Sequence, residues 1–272
     1  MRGDVDIEAY FKRIDFRARR AADLATLQAL HRLHPIAIPF ENLSALLREP
    51  IPLDTAALQD KLIARRRGGY CFEHNTLFGE VLRAIGFEVV ELAARVVWGR
   101  PSGAPPGARS HMVLRVRVDA EDFICDVGFG GLTLTGPLRL ELDTEQVTPH
   151  ECFTLKRLDD EFELAARVQG EWRPLYRFDL QEQHPIDFDV LNHFVATHPS
   201  SPFLTTLKAA RRTADGRYAL TDNELSVYRG TAKEERKLRS GRDLERVLEE
   251  SFGIALAPSA ALDGLLEAIA RR

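Results

Sequence analysis

Apolar residues recur every three to four positions through the first ninety residues of the chain, and this period predicts helices. In CFEHNTLFGEVLRAIGF the apolar stripe ends at Gly86, a residue type that commonly follows a helix C-terminus. Asp54 and Thr55 supply the start of another helix. The other helical segments are IEAYFKRI, ADLATLQALHRLHPI and TAALQDKLIARR. We therefore expect residues 1–90 to form a helical region.

The period changes at Val89. From there the chain is made of short segments rich in Val, Phe and Leu, separated by Gly, Pro and Asp, which is typical of antiparallel strands. These segments are VVELAARVVW, HMVLRVRV, EDFICDVGFG, ECFTLKRL, EFELAARVQ and EWRPLYRFDL. We expect a β-barrel or sandwich over residues 91–190. Residues 191–272 have a mixed α/β pattern, with RYALTDNELSVYRG as a hairpin and DLERVLEESFGI and SAALDGLLEAIARR as closing helices. The predicted fold class is α+β.

Composition narrows the functional classes. With 44% apolar and 29% charged residues and a net charge of −4, the chain gives no electrostatic reason to expect nucleic acid or an anionic membrane as partner. Acidic residues stand near the N-terminus where a secretory signal needs basic ones, and no segment approaches the length of a membrane span. We expect a cytoplasmic protein. The three cysteines lie in no CxxC pair and have no histidine at zinc-finger spacing, which argues against disulfides and structural zinc.

The stretch RRRGGYCFEHN places Cys71 in the first turn of a predicted helix. A helix N-terminus and a nearby imidazolium both favour the thiolate form of a cysteine, which is the nucleophilic form. We expect Gly68 and Gly69 to leave space for a substrate carbonyl, and the backbone N–H groups of Cys71 and Phe72 to be free to bind an oxyanion. The alternative is a buried structural cysteine behind a Gly-Gly turn.

Two further residues favour catalysis. His111 begins a predicted strand and Asp126 lies 15 residues later on the next strand, a spacing that allows a strand, a turn and a return. A cysteine on a helix that faces His and Asp on neighbouring strands is the arrangement that orients a base and activates a thiol. A simple hairpin around Asp119–Asp122 sets Asp126 opposite Arg115, four residues along from His111. A bulge or bend must then close the gap.

The remaining histidines and cysteines lack this arrangement. His74 shares the helix of Cys71 and is badly placed to take a proton and also be held by a strand carboxylate. Surface or capping roles are expected for the other six, and core positions for two cysteines. These residues are His31, His34, His150, His184, His193, His198, Cys125 and Cys152.

Five segments in a fixed order, PFENL, RGGYCFE, SHMVLRV, DVGFG and HPSSPF, resemble the arylamine N-acetyltransferase family, and the likeness runs from YFKRIDF to at least Phe203. The resemblance implies a helical bundle (1–90), a β-barrel (91–190) and an α/β lid (191–272) with a papain-like triad. Cys71 would be the nucleophile, His111 the base and Asp126 the orienting carboxylate. Acetyl-CoA would acetylate the cysteine, and an arylamine, arylhydrazine or N-hydroxyarylamine would then take the acetyl group. No metal or tightly bound cofactor would be needed.

The same resemblance suggests roles for other positions. An acceptor pocket would be lined by Phe40, Phe129 and Phe203, and the loop beside the thiol arm of CoA would contain Gly128, Gly130 and Gly131. Glu41 and Arg67 would form a charged pair that supports the site structurally. The run KEERKLRSGR alternates in charge, and we interpret it as a solvated segment rather than a phosphate site.

Other functions remain open from the sequence. A relative in the same family could take a long acyl chain from a carrier protein and close a macrolactam, and a papain-like hydrolase would use water as acceptor. A binding module with an inactive site is a third alternative. The contexts RGGYCFE and DVGFG favour the transferase, and the intact Cys, His and Asp disfavour an inactive site. The oligomeric state stays undetermined.

Overall fold

The computed structural model describes residues 3–101, 103–230 and 232–272, so Ser102 of the predicted loop Gly99–Ser110 lies outside the described residues. Several helices begin where an aspartate caps the first turn. The carboxylates of Asp6, Asp23 and Asp54 each accept a hydrogen bond from the backbone N–H three residues on. The helices are α1 Ile7–Ile14, α2 Leu24–Ala37, α3 Leu43–Leu46, α4 Thr55–Leu58, α5 Cys71–Ile85, α6 Pro185–Thr197, α7 Gly241–Glu250 and α8 Ala260–Ala270, with a π-helical turn Gln59–Ala64 and a 3₁₀ turn Pro202–Leu204.

The strands form two antiparallel sheets. They are β1 Phe40–Glu41, β2 Glu88–Val96, β3 His111–Val118, β4 Glu121–Cys125, β5 Leu138–Arg139, β6 Gln146–Val147, β7 Cys152–Leu158, β8 Glu161–Val168, β9 Glu171–Glu182, β10 Lys208–Arg212, β11 Gly216–Thr221, β12 Glu224–Arg229 and β13 Ala232–Lys237. Within the described residues, one sheet has eight strands in the order β5-β4-β3-β2-β9-β8-β7-β6 and is barrel-like, and the other has the order β1-β10-β11-β12-β13. The mixed helical and antiparallel architecture confirms the predicted α+β class.

The apolar side chains of β3 alternate between two cores. Met112, Leu114 and Val116 pack with the N-terminal helices, whereas Val113 lies in the barrel interior. This alternation follows from the two-residue period of a strand, and it places β3 between the helices and the barrel. A third core joins α7 and α8 to the second sheet. On these cores we retain the division into 1–90, 91–190 and 191–272 as a proposal.

Strand β1 crosses that division. Phe40 pairs with Ala210 and Glu41 with Ala209, so the N-terminal region supplies an edge to the C-terminal sheet. The charged run at 233–242 is partly strand β13, which is fully exposed at the other edge of that sheet and carries alternating charges that discourage further pairing. Across the part of the chain that the structure describes, no helix is both long and apolar enough to cross a membrane.

Candidate active site

Cys71 is the first residue of α5, and the turn before it is held by a buried carboxylate. Glu73 accepts a hydrogen bond from the backbone N–H of Tyr70 at 3.0 Å and pairs with the Lys61 ammonium at 2.7 Å. The Cys71 residue is 3% exposed, and its Sγ lies 3.6 Å from the carbonyl oxygen of Ser110, immediately before β3. The helix start therefore brings the thiol to the beginning of the strand that carries the predicted base.

The two glycines before the helix have a packing role that was not expected. A Cβ on Gly68 would lie 2.2 Å from the carbonyl oxygen of Pro39, and one on Gly69 would lie 2.6 Å from the carboxylate of Glu73. These positions make room for the neighbouring backbone and for the capping carboxylate. The structure therefore shows a packing role for both glycines, and the approach of a substrate carbonyl beside them stays a prediction.

The β3–β4 hairpin differs in register from the predicted one. Val118 pairs with Glu121, which leaves a two-residue turn in which Asp119 takes a left-handed conformation (φ 46°). The predicted register, which sets Asp126 opposite Arg115, was wrong by two positions. Asp126 therefore comes level with Val113, two residues from His111 and on the same face, and the diagonal pair needs no bulge.

His111 and Asp126 form a buried pair. The distance from His111 Nε2 to Asp126 Oδ2 is 2.7 Å, and both residues are at most 2% exposed. Burial alone lowers the pKa of His111, but the charge and hydrogen bond of Asp126, followed by the contact with Cys71, raise this pKa to about 10. Burial raises the pKa of Asp126, but His111 and two further hydrogen bonds lower it overall. At neutral pH the arrangement is an imidazolium between a carboxylate and a sulfur.

Asn75 is a functional position that the sequence analysis missed. Its amide nitrogen donates to Asp126 Oδ1 at 2.9 Å and to the carbonyl of Met112 at 2.8 Å, and its oxygen accepts from the N–H of Val127 at 3.0 Å. Asn75 lies one helical turn after Cys71, so the same helix face presents the thiol and holds the carboxylate. The signal available in the sequence was an asparagine one helical turn after a candidate nucleophile.

Comparison with known proteins decides the family. Residues 23–261 match the family model described as N-acetyltransferase. An arylamine N-acetyltransferase of Mycolicibacterium smegmatis is 45% identical over 95% of this chain and 95% of its own length. The chain belongs to the arylamine N-acetyltransferase family. An enzyme of Salmonella typhimurium named arylamine N-acetyltransferase / N-hydroxyarylamine O-acetyltransferase is 40% identical over 92% of this chain and 89% of its own. The Mycobacterium marinum arylamine N-acetyltransferase structure in complex with CoA superimposes with a TM-score of 0.94, at 39% identity, over 97% of this chain and 99% of that one.

The predicted resemblance and the acyltransferase class are thus confirmed.

In this acetyltransferase the loop that contains Gly128, Gly130 and Gly131 packs against the start of α5. A Cβ on Gly128 would lie 2.8 Å from the Cα of Cys71, so only glycine allows the loop to approach the nucleophile this closely. Gly130 has φ +87° and lies beside the Phe40 ring, while a Cβ on Gly131 would meet nothing within 4 Å. A side chain is therefore excluded at Gly128 by the helix start, whereas the space around Gly131 is open.

The three predicted pocket aromatics are half-buried and stand on two sides of the triad. The rings of Phe40 and Phe203 are 6.1 Å apart, and Phe40 stacks on His74 at 6.5 Å. Phe129 packs edge-on against His111 at 5.2 Å between ring centroids. The structure thus places Phe129 against the predicted base and the other two on the β1 side. Their role in an acceptor pocket stays a prediction.

Glu41 and Arg67 form an ion pair close to the helix start. Arg67 Nη2 lies 2.8 Å from Glu41 Oε1, and Nε of the same guanidinium lies 3.0 Å from it. The second oxygen of Glu41 accepts the N–H of Leu43 at 2.6 Å. Burial raises the pKa of Glu41, but Arg67 and other partners lower it overall. Because β1 carries Glu41 next to Phe40, the pair joins the PFENL strand to the segment before Cys71.

Besides His111, three histidines are buried in the core, which corrects the expectation of surface or capping roles for His31 and His34. Tyr10 donates to His34 Nδ1 at 2.7 Å, His34 Nε2 lies 2.8 Å from His74 Nδ1, and His74 Nε2 lies 3.1 Å from a backbone carbonyl, that of Pro39. A carbonyl only accepts, so His74 Nε2 carries the proton and the whole chain of bonds runs in one direction. His31 Nε2 accepts the N–H of Asp126 at 3.1 Å. Of the two other cysteines, Cys125 is in the core as predicted, while Cys152 is half-buried.

These histidines make the protein sensitive to acid. Burial lowers the pKa of His31 and His74 to about 4 and that of His34 well below its ordinary value. As pH falls below about 6.5 the unfolded chain binds protons that the folded protein excludes, so we expect the free energy of unfolding to fall between about pH 6.5 and 4, by on the order of 3 kcal/mol per histidine at most. Urea unfolding across this range measures the slope.

His34→Gln and His193→Gln are the matched variants for this slope, since His193 is exposed on α6. His34→Gln should flatten the pH dependence, and His193→Gln should leave it unchanged. The effect of His111 on the free energy of unfolding has the opposite sign. Its raised pKa contributes stability at low pH, and this contribution is lost as the pH rises toward about 10. A parent-like slope in the His34 variant would contradict the interpretation.

Proposed function

We propose that this acetyltransferase moves an acetyl group from acetyl-CoA to the amino group of arylamines or arylhydrazines, or to N-hydroxyarylamines, through a thioester on Cys71. The observation that carries the proposal is the buried His111–Asp126 pair, joined at 2.7 Å and directed at the helix start that bears Cys71. The names of the relatives support the substrate class, and the CoA complex of a similar structure supports the donor.

In the first step the Cys71 thiolate attacks the thioester carbonyl of acetyl-CoA. An imidazolium at His111 stabilises that thiolate before attack. The new C–S bond to Cys71 forms, the C–S bond to CoA breaks, and His111 gives its proton to the departing CoA sulfur. Backbone N–H groups in the first turn of α5, those of Cys71 and Phe72, bind the developing oxyanion. The two thiols have similar basicity, so the step is close to thermoneutral.

In the second step the neutral amine attacks acetyl-Cys71. Arylamines are unprotonated at neutral pH, so His111, now neutral, only has to accept the proton that the nitrogen loses as the tetrahedral intermediate collapses. The C–N bond forms, the C–S bond to Cys71 breaks, and the thiolate–imidazolium pair returns. Asp126 keeps the proton of His111 on the same nitrogen throughout and stabilises the charged ring. Neither step requires a metal or a tightly bound cofactor.

Burial of the reacting groups favours the transferase over a thiol hydrolase. Cys71 is 3% exposed and His111 is 2% exposed, so water has little access to an acyl group on the sulfur. The aromatic surface near the triad, from Phe129 on one side and Phe40 and Phe203 on the other, suits an aromatic amine better than water.

Intact-protein mass spectrometry tests the proposal. The protein is mixed with acetyl-CoA alone, and one portion is digested to locate any adduct. The intact remainder is treated with an arylamine such as 4-aminobenzoic acid or with water only. We expect one acetyl group on Cys71 that persists in water and disappears when the amine is added, with acetylated amine recovered. An adduct lost equally fast in water would establish a hydrolase, and unchanged acetyl-CoA would contradict the proposed donor.

A further inference from the structure

The loop that carries Asp126 and Phe129 is closed by one hydroxyl group. Thr133 Oγ1 donates to the carbonyl of Asp126 at 3.0 Å and accepts the N–H of Phe129 at 3.2 Å. The backbone N–H of Thr133 also donates to the carbonyl of Gly130 at 3.1 Å. Thr133 is 3% exposed, so water does not compete for these bonds. One side chain therefore links the end of the loop to its first residue and to its middle.

Thr133 is in turn held from the C-terminal sheet. Arg212, at the end of β10, is 2% exposed, and its Nη2 donates to the carbonyl of Thr133 at 3.0 Å. Its Nη1 pairs with Glu151 Oε1 at 2.7 Å, and Arg217 of β11 reaches the same oxygen at 2.5 Å. A guanidinium that bonds two groups through separate nitrogens fixes both in direction as well as distance. This link connects the C-terminal region to the loop that bears Asp126.

Packing beside the loop leaves a small gap. A cavity of about 10 Å³ is lined in part by Phe40, Gly130, Thr133 and Arg212. The glycines of the loop bring no side chains to fill the space. Asp126 itself is held at its carboxylate by Asn75, Gly128 and His111, and at its backbone N–H by His31. The Thr133 hydroxyl holds its backbone carbonyl.

We propose that Thr133, held by Arg212, is a positioning residue that keeps Asp126 against His111. The inference rests on the proposed function of the site. It adds to the site a residue of the Asp126 loop, Thr133, and a residue of the C-terminal sheet, Arg212, that holds it. When the hydroxyl is absent, the Asp126 carbonyl and the Phe129 N–H both lose a buried partner, and the loop shifts to satisfy them. The carboxylate then moves relative to a ring whose proton it must hold, and the acylation step slows.

Thr133→Val and Thr133→Ser form the matched pair, because valine keeps the shape and serine keeps the hydroxyl. We expect Thr133→Val to lower the rate of Cys71 acetylation at saturating acetyl-CoA by about tenfold, because one to two buried hydrogen bonds are lost. The rate of Thr133→Ser should stay within about twofold of the parent rate. Arg212→Lys keeps a charge beside Glu151 but has one nitrogen, so it should slow the same step, and its effect should not add to that of Thr133→Val.

Alkylation of Cys71 by iodoacetamide is measured on the same variants, because it reports the triad without requiring acetyl transfer. If Cys71 of the unsubstituted protein is alkylated but never acetylated, the proposed function is refuted. The alkylation rates of the variants still test the positioning role in that case. Equal rates for Thr133→Val and Thr133→Ser in both assays would overturn the inference. A change only in the acetyl-CoA concentration that gives the half-maximal rate, with the saturated rate unaffected, would also overturn it. If Thr133→Val fails to fold, Arg212→Lys decides: a parent-like rate at saturation refutes the role.

Discussion

Replacement of Cys71 by serine should abolish acetyl transfer as completely as replacement by alanine, with losses of about 10⁴-fold or more, the range seen when a nucleophile is removed from a triad. A serine hydroxyl needs a neutral imidazole to remove its proton, whereas a thiol reacts as a thiolate beside an imidazolium. Burial lowers the pKa of His111, but Asp126 first and Cys71 second raise it to about 10. In the serine variant this ring has no thiolate to stabilise, and a hydroxyl is far less acidic than a thiol, so the nucleophilic anion does not form.

The measurement is the rate of amine acetylation, with absorbance-monitored CoA release as a second readout. Circular dichroism and a urea titration of both variants guard against unfolding, since Cys71 starts a buried helix. Cys152→Ser is the control substitution, because that thiol is half-buried on β7, outside the candidate site, and its loss should leave the rate unchanged. Retention of the parent rate by the alanine variant would place the nucleophile elsewhere.

Periodic features of the chain were predictable because they record which face is buried. The apolar stripe that ends at Gly86 matches α5, whose C-terminal glycine has φ +112°. The alternation in HMVLRVRV matches β3, which has a core on each face. Such patterns reflect local geometry repeated over many residues, so a single chain is sufficient to detect them. The triad candidates could be named for the same reason, because each lies at the end of such an element.

The register of the β3–β4 hairpin could not be predicted, since it depends on one residue. Asp119 takes a left-handed conformation, which allows a turn two residues shorter than the expected one. The shorter turn shifts the pairing register of the two strands by two residues. The correction matters for function because it removes the gap between His111 and Asp126. A two-residue shift retains the same face, so the candidates themselves survived the error.

Contacts between distant segments left no pattern in the sequence. The pairing of β1 with β10 involves two residues of β1, too few to show a period. The bond from Arg212 to Thr133 spans 79 positions, and the His34–His74 bond spans 40. Buried polar groups of this kind are stable only because the tertiary fold supplies their partners, so a reading of isolated segments assigns them to the surface. The sequence analysis therefore named the candidate reacting residues and missed the buried polar residues that contact them.

Replacement of Asp126 by asparagine should lower the rate of Cys71 acetylation by about 10³ to 10⁴-fold, as expected when the orienting carboxylate of a triad loses its charge. Oδ1 of Asp126 accepts from the Asn75 amide and the Gly128 N–H, both at 2.9 Å, so an asparagine keeps its oxygen on that side. Its NH₂ group then faces His111 Nε2, which must become an acceptor. The ring proton moves to Nδ1, and the imidazolium loses the charge that holds it.

Stopped-flow release of CoA in the absence of amine measures this first step directly, and the pH at which His111 loses its proton should fall from about 10 toward its ordinary value. Asp122→Asn is the matched control on the same hairpin, because that partly exposed carboxylate lies 3.7–3.8 Å from Arg115 and Arg117 and away from the triad. It should retain the parent rate. Acetylation of the Asp126 variant within tenfold of the parent would show that the carboxylate does not orient His111. The aligned bonds from Asn75 and Gly128 would then serve the fold of the loop alone.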